Sequence, residues 1–258
     1  SGDYYHRPAF IHGEWLEFDG CVMFVDPSGK GMDETAYAIV AQLNGNLFVL
    51  EVGSFREGYT EPVLEGLAQA AKRQEVNLII LEDQFGQGML QSLLQPYLRR
   101  IYPCTVEPAR SNVQKERRII NALEPVMNQH RLIVNRSVIE NDSKAKDEDS
   151  VETHLAYQLF HQLTHLTVDR NSLQHDDRLD ALAGAVEYWN DSLAIDEEIA
   201  MRERDMELLD LEIAAYNGEI VGALDATILG IPLDELPQSE TEEGWIELQG
   251  FENQSLGN

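Results

Sequence analysis

Five carboxylates stand where hydrolytic chemistry could use them. Asp26 closes an apolar run, CVMFVDP, and Glu82 closes another, NLIILE. A third group lies in HDDRLDALAGAVEYW, where Asp176, Asp177 and Asp180 precede or open an amphipathic helix. Asp177 and Asp180 are three residues apart and share a helix face; Asp176, four residues before Asp180, could share it too. A carboxylate buried alone at a strand end is costly. Hard oxygen ligands drawn from separate elements, with no His or Cys required, are what Mg²⁺ or Mn²⁺ takes. Two such ions, roughly 4 Å apart, can activate a water and stabilise the leaving 3′ oxygen in phosphodiester cleavage. Structural roles compete with this reading: Asp26 before Pro27 could end a strand, and Asp176 or Asp177 could cap a helix. Strand ends and a helix start contributing acids together favour a metal site binding two ions through Asp26, Glu82, Asp177 and Asp180, with Asp176 a further candidate ligand.

Other constellations carry less. His161 and His165 in HQLTH have the spacing of a zinc-protease helix, but Gln162 replaces the general-base Glu that this chemistry needs. His175, beside the acids, could ligate metal or hydrogen-bond a carboxylate, although a polar turn residue is the simpler account. DPSGKG departs from a calcium loop, because Lys30 sits where an oxygen ligand belongs and Tyr37 where the bidentate Glu belongs. Arg110, Lys115, Arg117 and Arg118 form the densest basic cluster, read either as a solvated helix face or as phosphate contacts to DNA. Phe85, Tyr188 and Trp189 read as core groups.

The elements that must position these residues follow from hydrophobic periodicity. Residues 21–27 and 35–43 read as strands, and Asn44-Gly45-Asn46 is a hairpin signal leading to a strand at 47–52. Helical spacing then covers 61–74, a buried strand follows at 77–81, and helices are expected at 89–99, 114–123, 151–166 and 177–189. Short strands fall near 105–107 and 132–134. Three antiparallel strands followed by alternating helices and strands give an α/β fold, an RNase H-like mixed sheet flanked by helices. The expected domains are a nuclease domain at 1–190 and an acidic helix, to about Tyr216, with a loose tail at 191–258. NDSKAKDEDSVE, from Asn141, reads as a solvated loop or hairpin tip.

The charge balance is the main objection to a DNA substrate. The 258 residues carry 19 basic and 46 acidic side chains, a net charge of −27. That argues against a protein held on nucleic acid by bulk electrostatics. From Asp191 onward there are 18 acidic residues against Arg202 and Arg204 alone, so the segment carries −16 and the preceding residues −11. Cys21 and Cys104 are too few for a disulfide framework or zinc cluster, which makes a reducing compartment the default. No apolar run is long enough to cross a bilayer, and SGDYYHRPAF lacks the apolar core of a signal peptide.

VDPSGKGMDETAYAIV, LIILEDQFGQGM, VEPARSNVQKERRIINALEPVMNQHRLIV and HDDRLDALAGAVEYW jointly resemble the C-terminal nuclease domain of phage large terminase subunits, especially the podovirus DNA maturase type. The likeness spans about Val22 to Trp189. It implies a Mg²⁺- or Mn²⁺-dependent endonuclease that cuts concatemeric viral DNA during genome packaging, with low sequence specificity. By residue, the family's first-strand acid falls on Asp26 and the acid before its FGxG turn on Glu82, with Asp83 as the alternative. Its helix-start acids fall on Asp177 and Asp180, with Asp176 the alternative to the former. Double-stranded DNA, a terminase ATPase domain absent from this chain, a small terminase subunit and the portal or procapsid are the implied partners, in the cytoplasm of an infected bacterium and without a membrane. A Walker A loop is missing, since SGKG has Gly where Ser or Thr should bind Mg²⁺. DxxDALA alone would also fit a Holliday-junction resolvase, and a non-enzymatic docking module for the portal or motor is the remaining alternative.

Overall fold

The computed structural model describes residues 16–27, 34–56, 58–82, 88–109, 113–144 and 155–216. Six strands, β1 (Gly20–Asp26), β2 (Thr35–Leu43), β3 (Asn46–Phe55), β4 (Leu78–Glu82), β5 (Thr105–Ala109) and β6 (Leu132–Val134), form one sheet in the order β5-β4-β1-β2-β3-β6. The β1-β2-β3 meander is antiparallel, whereas β4, β5 and β6 join in parallel. Asn44 and Gly45 both have positive φ, 51° and 74°, as the two-residue turn between β2 and β3 requires.

The central strands are apolar on both faces because both are covered. On β1, Val22 and Phe24 point to one layer while Cys21, Met23 and Val25 point to the other, the period-two alternation of a strand. The second layer is filled by α1 (Glu61–Arg73) and α2 (Met89–Ile101) through Val63, Leu67, Leu94 and Leu98. The first holds α3 (Lys115–Asn128), α4 (Arg136–Asp142), α5 (Leu159–His165) and the start of α6 (Asp177–Tyr216). Asp26 and Glu82 share the parity of Phe24 and Ile80, so both carboxylates leave the sheet on the α3/α6 side.

Gly184 decides how closely α6 approaches. A Cβ there would lie 2.5 Å from the Phe24 ring, so only glycine permits this helix-to-sheet distance. Five residues on, Trp189 donates its indole N–H to the Val40 carbonyl at 3.0 Å. Together they pin the first turns of α6 over β1 and β2, which brings Asp180 above the end of β1.

The structure departs from the sequence reading in two elements and adds a third. The helix read over 151–166 is, among the described residues, helical at 155–156 and again in α5, with a break at Tyr157 and Gln158 where the buried Tyr157 sits in a turn. Residues 136–142, unassigned from the sequence, form α4, capped by Asn135, whose Oδ1 accepts from the Ser137 amide at 2.9 Å. The loop expected from Asn141 begins instead inside that helix: Asp142 is buried and accepts from the amides of Leu159 at 2.8 Å and Phe160 at 3.1 Å. Residues 145–154 lie outside those described.

The chain divides into two compact units, Ser1–Leu193 and Ala194–Asn258. In the second the described residues are helical to Tyr216; the expected tail beyond lies outside the described residues. No described helix is long and apolar enough to cross a membrane.

Candidate metal centre

Asp26 ends β1, Glu82 ends the parallel neighbour β4, and Asp180 lies in the first turn of α6. Ligand oxygens from these three carboxylates all lie within 4.8 Å of one another. The residues are 7%, 5% and 0% exposed, so three acids share a site from which water is largely excluded. Parallel pairing brings the C-terminal ends of β1 and β4 together, the edge at which open α/β sheets place their sites.

Such crowding disfavours ionisation. Burial pushes the Asp26 carboxyl well above the usual range; the Lys115 ammonium opposes this, and the charges of Asp180 and Glu82 reinforce it. Asp180 is also raised by burial, against the pull of Lys115 and Arg118. The two cations both come from α3, three residues apart and therefore on one face. Arg118 Nη1 donates to Glu82 Oε1 at 2.9 Å, and its Nη2 donates to Asp180 Oδ1. Lys115 Nζ lies 3.0 Å from Asp180 Oδ2, 3.0 Å from Asp176 Oδ1 and 3.7 Å from Asp26 Oδ2. Burial works against the Lys115 ammonium, but Asp180, Asp26 and Asp176 outweigh it and hold its pKa above the ordinary lysine value.

The other acids of the helix start are arranged differently. Asp177 Oδ2 accepts from the Glu34 amide at 3.3 Å, and Asp177 is outside the group whose oxygens converge. Glu34, 1% exposed, pairs with Arg56 at 3.1 Å and with Arg178 at 3.1 Å; Arg178 also reaches Asp142 and Ser54. Asp177 thus ties the start of α6 to the residue preceding β2. Asp176 holds Lys115 at the mouth of an open cleft of about 580 Å³, which Arg170, Asn171 and Gln174 also line.

Of the basic cluster, Arg117 is exposed, Arg118 is 5% exposed between two carboxylates, and Lys115 is ion-paired; Arg110 lies outside the described residues, as does Asp83. Composition signalled cations here, but not that two of them turn inward; their spacing of three, beside an acid-rich strand end, was the available signal. His175 is buried with its ring stacked on Tyr157 at 4.0 Å between centroids, outside the converging carboxylates. Gln162, which removed the zinc-protease reading, is 1% exposed: its Oε1 accepts from the Leu179 amide at 3.0 Å and so satisfies the N-terminus of α6.

Three antiparallel strands extended by parallel ones, with acids at the ends of β1 and β4 and at the start of a covering helix, define an RNase H-like nuclease fold. Residues 25–132 match the family described as the terminase of bacteriophage T7, ribonuclease H-like domain. The chain is 36% identical over 196 residues to the large terminase subunit of Enterobacteria phage T3, covering 76% of this chain and 33% of that protein. The resemblance to phage large terminase subunits is thus carried by the ribonuclease H-like family model over residues 25–132 and by the T3 relative, of whose length the chain spans about a third. Among solved structures, the human cytomegalovirus terminase nuclease domain, Mn soaked and inhibitor bound, superposes with a TM-score of 0.50 at 13% identity, covering 69% of this chain and 86% of that one. The nuclease domain of the large terminase subunit of bacterial virus Sf6 gives 0.40 at 15% identity, covering 67% and 90%.

Proposed function

We propose that this chain is the DNA-cutting part of a large terminase subunit, hydrolysing phosphodiester bonds of double-stranded viral DNA with divalent cations at Asp26, Glu82 and Asp180. The convergence of three buried carboxylate oxygens within 4.8 Å carries the reading. The donor set fits Mg²⁺ or Mn²⁺: the ligands are hard oxygens from rigid strand ends and a helix turn, and the Asp26 and Asp180 carboxyls are raised first by burial and then by repulsion from neighbouring acids, which a divalent cation would offset. When bound, such ions, two in this reading, supply the charge that activates water and stabilises the departing 3′ oxygen.

The chain's own groups do the rest. β1 and β4 hold Asp26 and Glu82 in fixed register, and Arg118 fixes the rotamers of Glu82 and Asp180. Asp177 is a positioning residue that anchors α6 through the Glu34 amide, and Asp176 offers a further oxygen at the cleft. The cleft accepts the phosphate backbone beside Lys115 and Arg170, with exposed Arg117 on the same helix as Lys115. No base-reading motif is evident in the sequence, so cleavage has low sequence specificity and is directed by partners: an ATPase region, a small terminase subunit and the portal, in the infected cell's cytoplasm. With a net charge of −27 the chain binds DNA weakly by itself, and salt weakens it steeply.

Plasmid nicking and linearisation with Mn²⁺, Mg²⁺ or chelator tests this. The wild type cuts only with a divalent cation, and Asp26→Asn loses at least about 100-fold, since even outer-shell changes commonly remove 10–100-fold. An Asp26→Asn variant as active as wild type refutes the assignment. Cleavage of four-way junctions but not linear duplex would mark a resolvase instead.

A further inference from the structure

The ammonium of Lys115 lies within ion-pair distance of both Asp26 and Asp180, two of the acids that would share a divalent cation. Its Nζ contacts Asp180 Oδ2 at 3.0 Å and lies 3.7 Å from Asp26 Oδ2, on the side of the cluster that opens to the cleft. Arg118 holds other oxygens of the cluster, Glu82 Oε1 and Asp180 Oδ1. The two cations differ in freedom. The Arg118 side chain is 5% exposed and bonded to two carboxylates, whereas the Lys115 side chain is 33% exposed. Lysine offers a flexible four-carbon stem and a point charge, while the arginine fork is held by directional bonds. Lys115 also has somewhere to go: Asp176 Oδ1, 3.0 Å away on a side chain 26% exposed, faces the same cleft.

We propose that Lys115 is a built-in competitor for the divalent cation, displaced from Asp26 and Asp180 toward Asp176 and the cleft when the ion binds. This rests on the carboxylates being the metal site. A positive ammonium and a divalent cation cannot both sit between the same two oxygens. Each therefore weakens the other's hold, and by linkage anything that draws Lys115 into the cleft tightens cation binding. A DNA phosphate in the cleft is such a group, so substrate binding and cation loading reinforce each other. The free chain is correspondingly under-loaded, which restrains cutting until DNA is seated.

The test is Mn²⁺ binding to the full chain, read from the electron paramagnetic resonance signal of free Mn²⁺. Asp180→Asn serves as the reference for ions held by the acidic segment after Asp191. Lys115→Met, which keeps length and removes charge, should tighten the site-specific Mn²⁺ dissociation constant at least about tenfold, within the 5–150-fold usual for coupled sites. Lys115→Arg should not tighten it. Unchanged or weaker binding in Lys115→Met, with wild-type binding measurable, overturns the competitor role and leaves the metal site standing. If the wild type binds no more Mn²⁺ than Asp180→Asn, the metal reading itself fails, and this inference with it. A measurement on the unmodified protein guards against a misfolded variant: Lys115 acetylation by acetic anhydride, followed by peptide mass spectrometry, should accelerate as Mn²⁺ is added. A Lys115 rate independent of Mn²⁺, while other lysines react normally, overturns the displacement.

Discussion

Replacing Arg118 by methionine removes the cation that pairs with two of the three carboxylates, Glu82 and Asp180, in one buried site. The side chains of Arg118, Glu82 and Asp180 are 5%, 3% and 0% exposed, so water cannot take over the lost bonds. Deleting one partner of a buried ion pair typically costs about 3–5 kcal/mol, because the remaining charge is left uncompensated. For a domain of this size each kcal/mol moves the midpoint by about 2–4 °C, giving an expected fall in Tm of about 6–20 °C by circular dichroism or calorimetry. Part of the penalty is avoidable if Glu82 or Asp180 binds a proton, so the loss should shrink as pH falls from 8 to 5. Adding Glu82→Gln to Arg118→Met should recover some of it, the double variant being less damaged than the sum of the singles. A loss below about 1 kcal/mol at neutral pH, or strict additivity in the cycle, would show that Arg118 does not balance these carboxylates.

Further expectations follow from other contacts. Gly184→Ala places a Cβ 2.5 Å from the Phe24 ring and should destabilise by about 1–3 kcal/mol in urea titration, with a weaker Mn²⁺ site because α6 carries Asp180. Asp177→Asn should keep Mn²⁺ affinity within a few-fold of wild type, whereas Asp180→Asn abolishes site binding; equal losses would put Asp177 among the ligands. Glu51 supplies a pH signature away from the site. Burial disfavours its ionised form, but hydrogen bonds from Arg73, Gln74 and Tyr37 outweigh this and hold its pKa below the usual value. A lowered folded pKa means the stabilisation is complete above the unfolded value near 4.5 and is lost as pH falls through the folded one. Wild type should therefore lose about 1 kcal/mol more than Glu51→Gln between pH 5 and 3, a modest figure because Arg73 is largely exposed. Parallel pH dependence in the two proteins would refute that role.

Much of the sheet was legible because its signals are local. The apolar runs ending in Asp26 and Glu82, and the Asn44-Gly45 turn, each state their structure within ten residues. The helix expected over 151–166 is broken at Tyr157 and Gln158 because a buried Tyr157 serves both the core and a turn, a tertiary decision that periodicity does not record. Likewise α4 is short and its stability depends on burying Val138 against the sheet, so little in its sequence announces it. At the site, strand-end carboxylates were visible as anomalies of polarity. Which helix-start acid would face them was not, since Asp176, Asp177 and Asp180 differ only in angle around one turn. That choice is made by Gly184 against Phe24 and by the Glu34 amide, contacts across 143 residues of chain for the latter. The inward turn of Lys115 and Arg118 was hidden for the same reason: a basic cluster reads as surface until its acidic neighbours are placed.

The central claim is most directly tested by anomalous diffraction from crystals soaked in Mn²⁺. A manganese peak bounded by Asp26, Glu82 and Asp180 is expected, with Lys115 Nζ shifted away from Asp26 and Asp180. Manganese bound elsewhere on the surface, with these three carboxylates still closed around Lys115 and Arg118, would contradict it.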